Sequence, residues 1–156
     1  MADEPDNATN SGSGPPAIKE GADVANPFND FLGIEIVEAV AGECMMRLAL
    51  RPEHMNPNDV AHGGVVSTLI DAATGTAVRT LLLERSESER VHVTVDLHVT
   101  YLAPAFGKEL VAKARVMRGG RTAVFSEAEV RDDTGRVVAR GTVTYLLVVS
   151  PSPRGS

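Results

Sequence analysis

The chain reads as an α+β domain in which one long helix covers one face of an antiparallel sheet. Three features carry that reading. Residues 63 to about 84 form the only long stretch with helical periodicity. Residues 91–102 alternate apolar and polar side chains as a strand does. The connections between neighbouring strand-like runs are too short for the crossovers that parallel strands need. The order is two strands, one helix, four strands.

Each element has its own justification. Asn26-Pro27 ahead of Phe28, Phe31 and Leu32 predicts a short helical turn, with Asn26 as cap, Pro27 in the first position and Gly33 as its end. Ile34 to Val40 and Glu43 to Leu50 read as strands joined by a hairpin at Ala41-Gly42, with Cys44, Met46, Leu48 and Leu50 on one face. In the long helix Val66, Leu69, Ile70, Ala73, Ala77 and Leu81 recur at three- and four-residue spacing and form one apolar stripe. After a charged loop, Arg85 to Glu89, the valines at 91, 93, 95 and 99 alternate, with Leu97 and Tyr101, against His92, Thr94, Asp96, His98 and Thr100. Three further strands follow: Glu109 to Met117, Arg121 to Arg131 and Arg136 to Val148. Arg118-Gly119-Gly120 and Asp132-Asp133-Thr134-Gly135 supply the turns between them.

Composition bounds the rest. The chain has 156 residues, 43% of them apolar, enough for one domain with a real core. Tryptophan is absent, so that core is aliphatic. A net charge of −6 argues against nucleic acid and anionic membrane as partners, although a local basic patch can still take a small anion. The single cysteine, Cys44, excludes an internal disulfide framework, reads as a core residue and suits a reducing cytoplasm. No run of 18 uninterrupted apolar residues marks a transmembrane helix. Residues 1–26 are rich in Asp, Asn, Ser, Gly and Pro and read as a disordered leader without signal-peptide character. The domain is then 27–148, and 149–156 is a flexible tail.

The start of the long helix is the first place with chemical content: Asn56-Pro57-Asn58-Asp59-Val60-Ala61-His62-Gly63-Gly64. Glycines at a helix start allow close approach. The free N–H groups there, at the positive end of the helix dipole, can hold a carbonyl oxygen or a developing oxyanion. His62 can add a donor or hold the turn. A glycine-rich loop with a satisfied histidine accounts for the same residues without any chemistry. Asp71 is the second place. It sits in an apolar helix, with Ser67, Thr74, Gly75 and Val78 at helical spacing. It is either a solvated or paired carboxylate, or a general base or nucleophile beside an oxyanion site. Thr94, Asp96 and His98 share one face of the alternating strand, and a solvated face accounts for Asp96 and His98. Arg118-Gly119-Gly120-Arg121 is a basic turn in an acidic chain and can approach a phosphate. No Walker loop, nucleophile elbow or dinucleotide fingerprint occurs, and the four histidines lack metal-site spacing, so neither metal nor cofactor is expected.

The element order, Asn56 six residues before His62-Gly63-Gly64, and Asp71 nine after His62 resemble the hotdog-fold acyl-CoA thioesterases of the PaaI-like, phenylacetate-degradation type. Thr94 to Leu102 and Gly120 to Gly141 add to the likeness, which covers about residues 27–148. The resemblance implies a central helix wrapped by a curved antiparallel sheet of about six strands. It also implies edge-to-edge dimers, often paired into tetramers, with active sites at the dimer interface. Asp71 then activates water or attacks the thioester. Gly63 offers its N–H to the carbonyl oxygen. His62 and Asn56 position thioester and water, these two and Gly63 coming from the subunit facing Asp71's, and Thr94 assists the water. Arg118, Gly120 and Arg121 lie where the family often holds the nucleotide of coenzyme A.

The implied function is hydrolysis of an acyl- or aryl-CoA to free acid and coenzyme A. Two other readings share the fold: a non-catalytic acyl-CoA binding or sensing module, and an enoyl-CoA hydratase or dehydratase. The acidic leader speaks against a DNA-binding sensor.

Overall fold

The computed structural model describes residues 17–18 and 22–150. The expected disorder of residues 1–16, 19–21 and 151–156 lies outside the described residues. The elements are α1 (Pro27–Leu32), β1 (Ile34–Val40), β2 (Glu43–Ala49), α2 (Gly63–Glu84), β3 (Arg90–Tyr101), β4 (Glu109–Gly119), β5 (Ala123–Asp132) and β6 (Val137–Val149).

Local chemistry explains the boundaries. The Asn26 side chain accepts a hydrogen bond from the Asn29 N–H, and Pro27 opens α1 as expected. In β2 the predicted inward face, Cys44, Met46 and Leu48, is buried. In α2 the predicted stripe is buried at Val66, Leu69, Ile70, Ala73 and Ala77. Leu82 replaces Leu81 as its buried end. Thr74, Gly75 and Val78, at helical spacing from Asp71, are buried too. By length and composition α2 is apolar enough to cross a membrane; in this fold the sheet covers its apolar residues. Cys44 is buried as expected. Burial, and then the charge of Glu38, push its thiol up to about 12, so it is inert at neutral pH.

The six strands form one antiparallel sheet in the order β1-β2-β4-β5-β6-β3. Sequence neighbours pair except on either side of β3. The segment after β3 carries the chain across the sheet, so β4 pairs with β2 while β3 pairs with β6 and becomes an edge.

A departure from expectation lies inside β3. Its pairing with β6 slips between Thr94 and Asp96, where one extra residue is inserted. Thr94 pairs with Tyr145, and Asp96 with Thr144. A one-residue insertion exchanges the faces of a strand. Before the bulge, His92 and Thr94 therefore point towards α2; after it, Leu97, Val99 and Tyr101 do. Val93 and Val95 are left outside, 48% and 53% exposed. The single apolar face and the shared face of Thr94, Asp96 and His98 are thus corrected. Period-two alternation continues unbroken in the sequence while the backbone turns over beneath it. Asp96 and His98 are exposed, as a solvated face requires.

Contacts are also present ahead of residue 27. The Ala39 N–H donates to the Ala17 carbonyl at 3.0 Å, and Ala22 is 3% exposed. The segment Ala22 to Asn26 runs over the side of α2 that bears Asp71.

Candidate active site

The midpoint of α2 carries the first cluster. Asp71 Oδ1 accepts hydrogen bonds from Thr94 Oγ1 at 3.0 Å and from the Tyr145 hydroxyl at 3.1 Å. Tyr145 is 1% exposed. Its hydroxyl also lies 2.7 Å from Thr74 Oγ1 and 3.0 Å from the Asp71 carbonyl. Burial, then the charge of Asp71, hold that hydroxyl far above the usual tyrosine range, so it stays protonated and can donate. His92 meets the Tyr145 ring edge-on, with centroids 5.1 Å apart. Burial holds the imidazole below its ordinary pKa; Asp71 pulls it up and Arg79 pushes it down. His92 is therefore neutral at neutral pH.

Gly75 makes this cluster possible. A Cβ there would stand 3.1 Å from His92 Nε2 and 3.4 Å from the Tyr145 hydroxyl. A mid-helix glycine costs roughly 1 kcal/mol against alanine; here it lets two strand side chains reach the helix. Asp71, Gly75, Thr76, His92, Thr94 and Tyr145 line one side of a cavity of about 550 Å³, and residues from Ala22 to Ile36 line the other.

The N-terminus of α2 carries the second cluster. His62 is the N-cap, and its Nδ1 accepts from the Gly64 N–H at 2.9 Å. That bond fixes the neutral tautomer with its proton on Nε2. Of the two expected histidine roles, holding the turn is the one seen. With Gly64 taken, the Gly63 N–H is left without an acceptor among the described residues. The Gly63 carbonyl accepts from Tyr101 Oη at 2.8 Å, and a Cβ on Gly63 would sit 3.3 Å from that ring. Asn56 Oδ1 ties its own loop, accepting from Asn58 N at 2.8 Å and Val60 N at 3.3 Å. Its Nδ2 donates to nothing among the described residues. Asn56, Gly63 and Tyr101 line a separate cavity of about 560 Å³.

The candidate residues thus fall into two groups. Asp71 and Thr94 meet; Asn56 and Gly63 line one cavity, with His62 beside Gly63 as the N-cap; the two groups do not meet. Arg118, Gly120 and Arg121 form a third place, the β4–β5 turn at the far end of α2. Arg85 Nη2 donates to the Gly119 carbonyl at 2.8 Å, and Arg90 Nη2 to the Arg121 carbonyl at 2.7 Å. The charged loop after α2 anchors this turn, with the Arg118 and Arg121 side chains exposed. A larger concavity, about 750 Å³, lies on the outer sheet face among paired charges and touches none of these residues.

Tyr145, His92 and Tyr101, which the sequence did not single out, stand against these candidate residues. Gly75, a glycine one turn after a carboxylate in a helix, was the available signal for the first two.

Comparison with known proteins supplies the family. The thioesterase superfamily matches residues 58–139. Human acyl-coenzyme A thioesterase 13 is 32% identical over 126 residues, covering 79% of this chain and 86% of that protein. A medium/long-chain acyl-CoA thioesterase of Escherichia coli is 28% identical over 134 residues, covering 78% and 85%. The phenylacetic acid degradation protein PaaI of Thermus thermophilus superposes with a TM-score of 0.69 at 25% identity, covering 78% and 98%. With the helix-and-sheet architecture in place, the chain belongs to the thioesterase superfamily, as a PaaI-like hotdog thioester hydrolase.

Proposed function

We propose that the chain hydrolyses the thioester of an acyl-CoA, giving free acid and coenzyme A, at sites shared between two copies of itself. The acyl-CoA thioesterases among its relatives support the substrate class. The observation that carries the reading is the pair of complementary half-sites: a hydrogen-bonded carboxylate, and a backbone N–H without an acceptor.

Distance supports the second copy. Gly63 and Asp71 are eight residues apart on α2, about 12 Å at 1.5 Å per residue. An oxyanion donor must stand about 3 Å from the carbonyl oxygen. The attacking atom must stand about 3–3.5 Å from the carbonyl carbon. One chain cannot meet both conditions on one thioester, whereas an antiparallel second helix can. The β3 edge fits the same reading. It is a long unpaired edge with exposed Val93 and Val95, the kind of edge that monomers normally protect. A two-fold axis perpendicular to it builds a homodimer with two sites, and dimers can pair into a homotetramer.

In each site Gly63 of one copy polarises the carbonyl, and its Asn56 amide orients the thioester or the water. His62 keeps the Gly63 N–H free by taking that of Gly64. Asp71 of the other copy takes a proton from water as it attacks, or attacks the carbonyl itself, with Thr94 steadying the carboxylate. Arg118, Gly120 and Arg121 serve the nucleotide phosphates. The single buried cysteine fits a cytoplasmic setting.

The test is free-thiol release from a panel of aryl- and alkyl-CoAs, with wild type and Asp71→Asn side by side. Wild type should turn over at least one of them, and the variant should lose on the order of 10²–10⁴ in kcat. No release from any thioester, by a folded oligomer, would return the chain to the binding-module reading.

A further inference from the structure

We infer that Tyr145 is the positioning residue that makes Asp71 one-sided, reserving Oδ2 for the reaction. This rests on the reading of Asp71 as the working carboxylate and adds to it a residue and an oxygen atom.

Hydrogen-bond counting carries the inference. A carboxylate oxygen has two lone-pair sites. Thr94 Oγ1 at 3.0 Å and Tyr145 Oη at 3.1 Å fill both on Oδ1. Neither residue, nor any other described donor, reaches Oδ2. Tyr145 has one proton and three oxygens in range: Asp71 Oδ1, the Asp71 carbonyl and Thr74 Oγ1. An ionised acceptor makes the strongest of these bonds. The Tyr145 proton therefore goes to Oδ1, while the single Thr74 hydroxyl proton has the Ile70 carbonyl at 2.8 Å as well as the Tyr145 oxygen in range. Tyr145 and Thr94 thus hold Asp71 Oδ1 from two sides.

Three features of the fold serve this arrangement. The β3 bulge turns Thr94 inward opposite Tyr145, its cross-strand partner. Gly75 leaves room for the Tyr145 hydroxyl at the helix surface. His92, neutral and edge-on, stops the ring from tilting. Tyr145 never touches substrate in this scheme. It holds the carboxylate at the angle that presents Oδ2 to water or to the thioester carbon.

The test is Tyr145→Phe, which keeps the ring and its contact with His92. Loss of a hydrogen bond to a charged group should lower kcat roughly ten- to hundredfold while KM stays within about twofold. Thr94→Val acts on the same oxygen, so the double variant should fall short of the product of the two single losses. A merely structural role would move KM or melting temperature and leave the two effects multiplicative. Wild-type turnover with an unchanged kcat in Tyr145→Phe overturns the inference and leaves the thioesterase reading standing. The bond can also be read without turnover. A hydroxyl proton resonance absent in Tyr145→Phe should move upfield in Asp71→Asn, where the acceptor loses its charge. A resonance indifferent to Asp71→Asn would overturn the inference even if no thioester were cleaved.

Discussion

The two half-sites on α2 differ in completeness. At the midpoint, every polar atom around Asp71 Oδ1 has its partner, and the cluster is closed by a buried tyrosine. At the N-terminus, His62 satisfies Gly64 and Tyr101 satisfies the Gly63 carbonyl, but the Gly63 N–H and the Asn56 amide nitrogen have none among the described residues. The contrast has a chemical sense under the proposed reaction. A carboxylate needs fixed neighbours before substrate arrives, because its charge and orientation are its function. An oxyanion donor must be left open, because its acceptor is the substrate. The helix dipole works in the same direction, favouring negative charge at the open end.

The largest effect that would sharpen this contrast comes from removing the open donor. Gly63→Pro deletes the N–H at the first helical position, where proline is well tolerated. His62 already has the extended conformation, φ −59° and ψ 135°, that a residue before proline requires. The variant should fold and lose about 10²–10³ in kcat. Gly63→Ala is the control: it brings a similar Cβ up to the Tyr101 ring, 3.3 Å away, but keeps the donor. If both variants lose activity equally in a rate assay, crowding rather than the missing N–H is responsible.

A smaller effect concerns the closed half. The folded state holds His92 below its ordinary pKa, by burial first. Below pH about 6.5 the unfolded chain takes up a proton that the folded chain resists, so stability falls as pH falls through that range. His92→Phe should flatten the acid side of the melting curve by a few degrees at most. Buried His54, also held low, leaves a residual slope. An unchanged slope would show that the fold does not hold His92 below its ordinary pKa.

Much of the fold was legible, and the reasons are local. Asn26-Pro27 and Gly33 bracket α1 by capping chemistry. The β2 alternation and the α2 stripe report faces that packing does bury. The β3 alternation misled, because a bulge changes which face points inward without changing the residue pattern. That same bulge hid Tyr145: its partnership with Thr94 depends on a register that only the pairing of two distant strands defines. The crossing from β3 to β4 was hidden for a similar reason, since connection length limits topology but does not choose between neighbours. On the site, spacing and resemblance singled out Asp71, Thr94, His62, Gly63 and Asn56, and the resemblance set Asn56, His62 and Gly63 on the subunit facing Asp71's. Helix rise gives that division its physical reason.

The most direct measurement is subunit mixing. Asp71→Asn keeps an intact donor half, and Gly63→Pro keeps an intact carboxylate half. Dissociated together and reassociated, they should form mixed dimers in which one of the two sites has both working halves. Thiol release should return to roughly a quarter of the wild-type rate, half the dimers being mixed and each having one good site. Mixed dimers that form, by mass, yet release no more thiol than either parent would show that the two halves do not work across the interface.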